Sequence, residues 1–259
     1  MVKKVILLFF IFSVPGFCEQ PVFPAAKASA GKLFVGEKLE YTIRYLGIPV
    51  GKAEAEVKEI TKLDGHSVYH ITVHVASHPV IDLVYKVRDE HHSFVDIEKF
   101  HTLRYEKILS EGHYRADEVM TYDQNAHTAH YLSRKNGSKK EMLIPKDVQD
   151  QLSCGYWFRL QPVEPNTTVF IPVNADEKNW ELEVKLHEIK KMELQGVGKF
   201  DALEAEPLIK FQGIFVKKGK IRGWISMDER RIPLKMKVKV PVLGSVTAEL
   251  SAYTPGHDS

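Results

Sequence analysis

The feature that most restricts how this chain can fold is strict alternation of side-chain character, clearest between Gly219 and Leu250. There Leu234, Met236, Val238 and Val240 fall on one face of an extended segment, and Lys235, Lys237 and Lys239 fall on the other. The run Ile221 to Met227 precedes it across the charged turn Asp228-Glu229-Arg230. Val246 to Leu250 follows through Pro241-Val242-Leu243-Gly244-Ser245. A meander with one oily face and one lysine-covered face must close over something, either its own core or a ligand.

The same period runs through the chain from Gly36 onward. Leu39, Tyr41, Ile43 and Tyr45 alternate with Lys38, Glu40, Thr42 and Arg44, and Ala53, Ala55 and Val57 alternate with Lys52, Glu54 and Glu56. Asp64-Gly65 and Asn136-Gly137 are hairpin signals. Extended runs are expected at Ser67 to Ala76, Leu83 to Arg88, Ser93 to Ile97, Thr102 to Ser110, Arg115 to Tyr122, Ala126 to Ser133 and Lys139 to Ile144. After a helix they resume at Thr167 to Val173, Glu181 to Ile189, Lys199 to Ala205 and Leu208 to Phe215. Turn markers at this spacing indicate an all-β domain. So many short strands exceed one flat sheet and predict curling or splitting into two layers.

The helix is expected from Asp147, its cap, to Leu160. Val148, Leu152, Tyr156 and Leu160 recur at four-residue steps, and Trp157 and Phe158 widen their face. It is too short to stand alone and must lie on the sheet. The predicted fold is therefore mostly β. Strongly curved antiparallel sheets, barrel-like or as two half-barrels, carry one short helix on the concave face. Ile48-Pro49-Val50-Gly51 echoes Val240-Pro241-Val242-Leu243-Gly244. That echo fits two similar halves, 36–145 and 165–255, joined by helix 147–160, and equally fits the shared need of hairpins for proline and glycine.

Lys3-Lys4 followed by Val5 to Phe12 and the breaker pair Pro15-Gly16 reads as a secretory signal over residues 1–18, too short to span a bilayer. Residues 19–35 read as a flexible leader. The expected location is the periplasm. Lipid anchoring through Cys18 is the alternative, disfavoured by Phe17 and Pro15 where a lipobox wants a small and an aliphatic residue. Removing Lys3 and Lys4 brings the formal charge of +2 to about zero, which argues against nucleic acid and against broad attraction to anionic lipid. No further apolar run is long enough for a membrane helix, so membrane association is expected to be peripheral at most. Without Cys18, Cys154 has no partner in the chain and reads as a small buried hydrophobe.

No catalytic residues, metal site or cofactor are expected. His66, His70, His74 and His78 lie four apart, but on a strand that spacing separates neighbours by about 13 Å, too far for one metal. No Gly-x-Ser-x-Gly, His-Glu-x-x-His or phosphate loop occurs. Asp176-Glu177 and Asp228-Glu229 read as solvated turns, and Trp180 and Trp224 as core residues of strands rather than sugar platforms.

Several blocks resemble the bacterial family catalogued as domain of unknown function 3108. They are Gly36-Glu37-Lys38-Leu39-Glu40-Tyr41 with Gly51-Lys52-Ala53, Arg88-Asp89 with Val95-Asp96, and Asp150-Gln151-Leu152-Ser153 with Tyr156 and Arg159. Gly196 to Phe200 and the most specific block, Gly223 to Pro233 with Val240 to Leu250, complete the set. The resemblance implies an exported, β-rich envelope protein with no assigned activity. A weaker likeness at the level of fold is to periplasmic lipoprotein carriers. The expected function is non-catalytic binding or transport of an apolar or amphipathic envelope molecule: a lipid, an acyl chain or a lipid-linked glycan. Tyr156, Trp157, Phe158 and Trp224 would line the site. The alternative is a scaffold or assembly factor that engages another envelope protein through a sheet edge or through Lys235, Lys237 and Lys239.

Overall fold

Alternation becomes strands in the computed structural model, which describes residues 32–211, 214–215, 220–240 and 244–257. The expected signal peptide with Cys18, leader residues 19–31 and the turn at Pro241-Val242-Leu243 lie outside the described residues. The first run comprises β1 (Lys38–Tyr45), β2 (Ile48–Leu63), β3 (His66–Ser77), α1 (Pro79–Tyr85), β4 (Arg88–Asp96), β5 (Thr102–Glu111), β6 (Tyr114–Asp123), β7 (Thr128–Ser133) and β8 (Lys139–Leu143). Then come β9 (Gln149–Asp150) and α2 (Ser153–Arg159). The second run is β10 (Thr168–Ala175), β11 (Lys178–Leu194), β12 (Gly198–Phe211), β13 (Ile214–Phe215), β14 (Lys220–Ser226), β15 (Pro233–Val240) and β16 (Gly244–Thr254).

One hydrogen-bonded path joins the strands in the order β8-β7-β6-β5-β4-β3-β2-β1-β16-β15-β14-β12-β11-β10-β9, with β13 paired only to β12. Every pairing is antiparallel except β9 with β10. The two runs meet where β1 pairs β16, from Lys38 opposite Thr254 to Tyr45 opposite Val246. The sheet curls until its ends approach without pairing. Side chains bridge the seam instead: Lys107 Nζ lies 3.2 Å from Asp176, Asn179 Nδ2 donates to the Leu143 carbonyl at 2.7 Å, and Lys140 pairs with Glu177.

Asp64 and Gly65, with φ of 48° and 86°, make the two-residue turn between β2 and β3 that Asp-Gly favours. Leu83 to Arg88, expected as a strand, divides instead between α1 and the start of β4. Pro79 stands in the first turn of α1, and the His78 side chain accepts from Val80 N. The alternation of Leu83, Tyr85 and Val87 spans too few residues to distinguish strand from helix.

The helix expected over 147–160 is shorter. Asp147 does not cap it and adopts φ 55°; Gln149 and Asp150 pair with Val173 and Asn174 before the helix starts at Ser153. The four-residue pattern marked burial correctly but spread it over two elements. Tyr156, Trp157 and Phe158 are buried in the main core with Ile71, Tyr105, Met120, Trp180 and Val184. A smaller cluster of Leu39, Leu194, Ala202, Ile232, Leu234 and Leu250 packs beside it.

Candidate functional site

Two polar hubs set α2 inside the curved sheet. Asp150 is fully buried, and one carboxylate oxygen accepts from Leu152 N (2.6 Å) and Ser153 N (2.8 Å). The other accepts from Ser93 Oγ (2.5 Å) on β4 and Thr102 Oγ1 (2.9 Å) on β5. The start of the helix is therefore held to the wall by four donors, which offset the cost of burying the carboxylate. Burial still raises the Asp150 pKa, with those hydrogen bonds opposing.

At the other end Arg159 makes a bidentate pair with Glu37, at 2.7 and 2.6 Å, with both side chains buried. Its remaining N–H groups donate to the carbonyls of Arg231 (3.1 Å) and Arg230 (3.0 Å). The helix end is thus tied to the segment before β1 and to the turn between β14 and β15. Removing either partner of such a pair leaves an uncompensated buried charge, generally a loss of about 3–5 kcal/mol.

On β1, β2 and β14 to β16 the concave face is only partly covered. The register places Met236 opposite Gly223 and Ala248, Gly223 opposite Ala205, and Ala248 opposite Ile43. These residues share the face that carries Ile225, Leu203 and Ala205 of the main core. Met236 is nevertheless 41% exposed, while Ile43, Ala53, Val75 and Ile221 are only half-buried. Small residues recur on this face, at Ala53, Ala55, Ala205, Gly223 and Ala248. Gly155, in the first turn of α2, is exposed, and a methyl group built on it would touch nothing within 4 Å. The Tyr156 hydroxyl is buried and has no hydrogen-bond partner among the described residues.

A polar layer bounds this recess on the β4–β6 side. Gln151 donates to the Tyr105 hydroxyl, which also hydrogen-bonds with His91 Nδ1 at 2.6 Å. Burial, followed by the charge of Lys107, lowers the His91 pKa to about 3. Lys107 lies between Glu118 (3.0 Å) and Asp176 (3.2 Å); burial lowers its pKa, but the two carboxylates outweigh that and the net shift is upward. Farther along β5, burial and the neighbouring Asp89 raise Glu111 to about 7. Cys154, pushed to about 12 by burial, is a thiol rather than a nucleophilic thiolate. On the outer face a shallow groove of about 570 Å³ is lined by Arg104, Thr121, His130, Arg134 and Glu141. Its arginines are already engaged, both with Glu106, at 2.6 and 2.8 Å.

The model of the family described as protein of unknown function DUF3108 matches residues 40–251. The chain belongs to this family. The blocks that carried the resemblance are structural in this member: Glu37, Asp150, Arg159 and the Arg230-Arg231 turn are the two hubs that seat α2. No functionally curated protein matches the sequence. Among solved structures, a β-barrel-like protein of domain of unknown function DUF1849 from Brucella abortus superposes with TM-score 0.59 at 8% identity, covering 88% of this chain and all of that one. A candidate exported protein with a YmcC-like fold from Bacteroides fragilis gives 0.32 at 11% identity, covering 88% and 100%. A candidate lipoprotein from Parabacteroides distasonis gives 0.32 at 6%, covering 89% and 100%. The Brucella protein shares the fold, and the other two are too distant to bear on this chain.

Of the residues expected to line a site, Tyr156, Trp157 and Phe158 come together on α2, buried in the main core. Trp224 does not join them: it faces the opposite side of β14, opposite Glu204 and Lys235, and packs against the smaller cluster. Met236 was read only as part of an oily face. The polar layer was missed because β5 shows no contrast between its faces: Tyr105, Lys107, Leu109 and Glu111 alternate with the equally mixed Arg104, Glu106 and Ile108.

Proposed function

We propose that this protein is an exported envelope protein, acting in the periplasm, that binds an amphipathic lipid or acyl chain without catalysis. The observation that carries the reading is the exposed Met236 on the concave face, with Gly223 and Ala248 directly opposite it. A partly covered apolar face of this kind suits an acyl chain. In this reading Trp157 and Phe158 form the packed floor.

The alternative, a scaffold for another envelope protein, draws less support. Of the three lysines on that face, Lys235 is paired with Glu249 at 2.6 Å. The edge strand β8 carries Lys139, Lys140 and Glu141, charges that discourage strand addition.

Native mass spectrometry of protein purified from its own host tests the proposal. Wild type is expected to carry lipid-sized adducts, and Met236→Glu, with unchanged circular dichroism, to lose them. Wild-type protein free of adducts, or a variant that retains them fully, rules the recess out as the binding site.

A further inference from the structure

Exposed apolar side chains gather at one end of the sheet. α1 has no buried residue, and Leu83 and Val84 are 86% and 87% exposed. Val80 on the same helix, Leu46 and Ile48 at the β1–β2 turn, and Tyr114 after the β5–β6 turn are exposed as well. Strand direction places all of these on the same rim, and hydrogen bonds make them neighbours. His78 N donates to the Val50 carbonyl at 2.8 Å, Gly112 N to the Lys86 carbonyl at 2.7 Å, and Leu46 N to the Ser245 carbonyl at 3.0 Å. The opposite end exposes Leu143, Ile97 and Ile60, each to a lesser degree than Leu83 or Val84, among polar turns such as Asp64-Gly65 and Gln195-Gly196.

The helix is held in this attitude. Asp82 turns inward to Arg88, with Nη2 at 2.6 Å, and to the Ser77 hydroxyl, so the apolar residues of α1 point outward. Beneath the rim stand the exposed lysines Lys52, Lys86, Lys237 and Lys239. Lys52, Lys237 and Lys239 have no ion-pair partner among the described residues.

We infer that this rim docks onto the surface of a bilayer containing anionic lipid. Leu83, Val84, Val80, Leu46 and Ile48 would enter the interface, with the lysines at headgroup level. The apolar groups project from separate connections and form no groove, so they suit a planar partner rather than a peptide helix or strand. Unpaired cations just behind an apolar tip match anionic headgroups, with the lysine stems reaching along the interface. This contact adds to the proposed binding function and does not require it.

Vesicle cosedimentation of the full chain is the test, with phosphatidylglycerol–phosphatidylethanolamine vesicles against phosphatidylcholine alone. Wild type is expected to sediment with the anionic vesicles. Leu83→Glu/Val84→Glu should weaken partitioning by about tenfold or more. Lys237→Glu/Lys239→Glu should weaken it several-fold and flatten its salt dependence. An unchanged thermal midpoint establishes that each variant is folded. The inference fails if wild type stays in solution or if Leu83→Glu/Val84→Glu partitions like wild type. It also fails if wild type forms a dimer that this variant abolishes while neither protein binds vesicles, which would make a second copy the occupant. Lipid adducts are read separately by mass spectrometry. Loss of vesicle binding with adducts retained, or the reverse, tells the two proposals apart.

Discussion

Glu111 is the residue whose environment makes the plainest demand. In an unfolded chain it ionises near 4.5; in the fold, burial and the adjacent Asp89 hold its proton to about 7. A carboxyl whose folded pKa is raised contributes stability below its unfolded value, and that contribution is lost as pH rises through the folded one. At pH 8 the fold carries an extra buried charge beside Asp89, while at pH 4 it carries a neutral group. Glu111→Gln should therefore match wild type in urea denaturation at pH 4 and exceed it by about 1–2 kcal/mol at pH 8. A difference that does not change with pH would remove the Glu111–Asp89 coupling. His91 runs the other way: its folded pKa of about 3 lies below the unfolded 6.5, so its contribution is complete above pH 6.5 and drains away as pH falls toward 3. Neither environment was legible beforehand. His91 lies in β4 and Glu111 in β5, strands that carry polar and apolar residues on both faces, and only the curl of the sheet decides which face is inside. Glu37, Arg159 and Arg230-Arg231 stood among the quoted blocks, but Glu37 and Arg159 are 122 positions apart and sequence spacing gives no hint that they pair.

At the scale of elements, local chemistry was read well wherever it acted alone. Asp64-Gly65 turns the chain as expected because two adjacent residues in the left-handed region suffice to specify it. Helices depended on more. The His78-Pro79 start of α1 was overlooked because Leu83, Tyr85 and Val87 imitate a strand. Asp147 looked like the α2 cap, whereas Asp150 does that work from within β9. The four-step period could not show this, since burial of Val148 serves the wall and burial of Tyr156 serves the helix. If Asp150 seats α2, then Asp150→Ala strands two backbone N–H groups and the hydroxyls of Ser93 and Thr102 in a buried site. Leaving several donors unsatisfied is expected to cost about 2–4 kcal/mol. The urea midpoint should fall accordingly, with near-ultraviolet circular dichroism from Tyr105 and Trp157 weakened first. A midpoint within error of wild type would show that packing of Trp157 and Phe158 alone positions the helix.

The whole molecule raises the question of how many units fold. A repeated Pro-Val turn pointed to halves at 36–145 and 165–255. In the sheet, the first of these turns lies beside the start of β16, where Leu46 N donates to the Ser245 carbonyl. β1 pairs with β2 on one side and β16 on the other, and the main core draws on Val57, Tyr105 and Met120 from the first stretch and on Val184, Leu203 and Ile225 from the second. Cutting between the stretches would expose both halves of that core and strip β1 of a partner. Long-range closure of this kind makes unfolding all-or-none. The three tryptophans report on it, because Trp157 and Trp180 lie in the main core while Trp224 packs against the smaller cluster. In urea, fluorescence of the intact chain, fluorescence of a variant retaining only Trp224, and far-ultraviolet circular dichroism should share one midpoint. Fragments 36–145 and 165–255 made separately should lack cooperative transitions. Two separated transitions, or one fragment that folds by itself, would establish a pair of domains and confine the recess to the half that keeps β14 and β15.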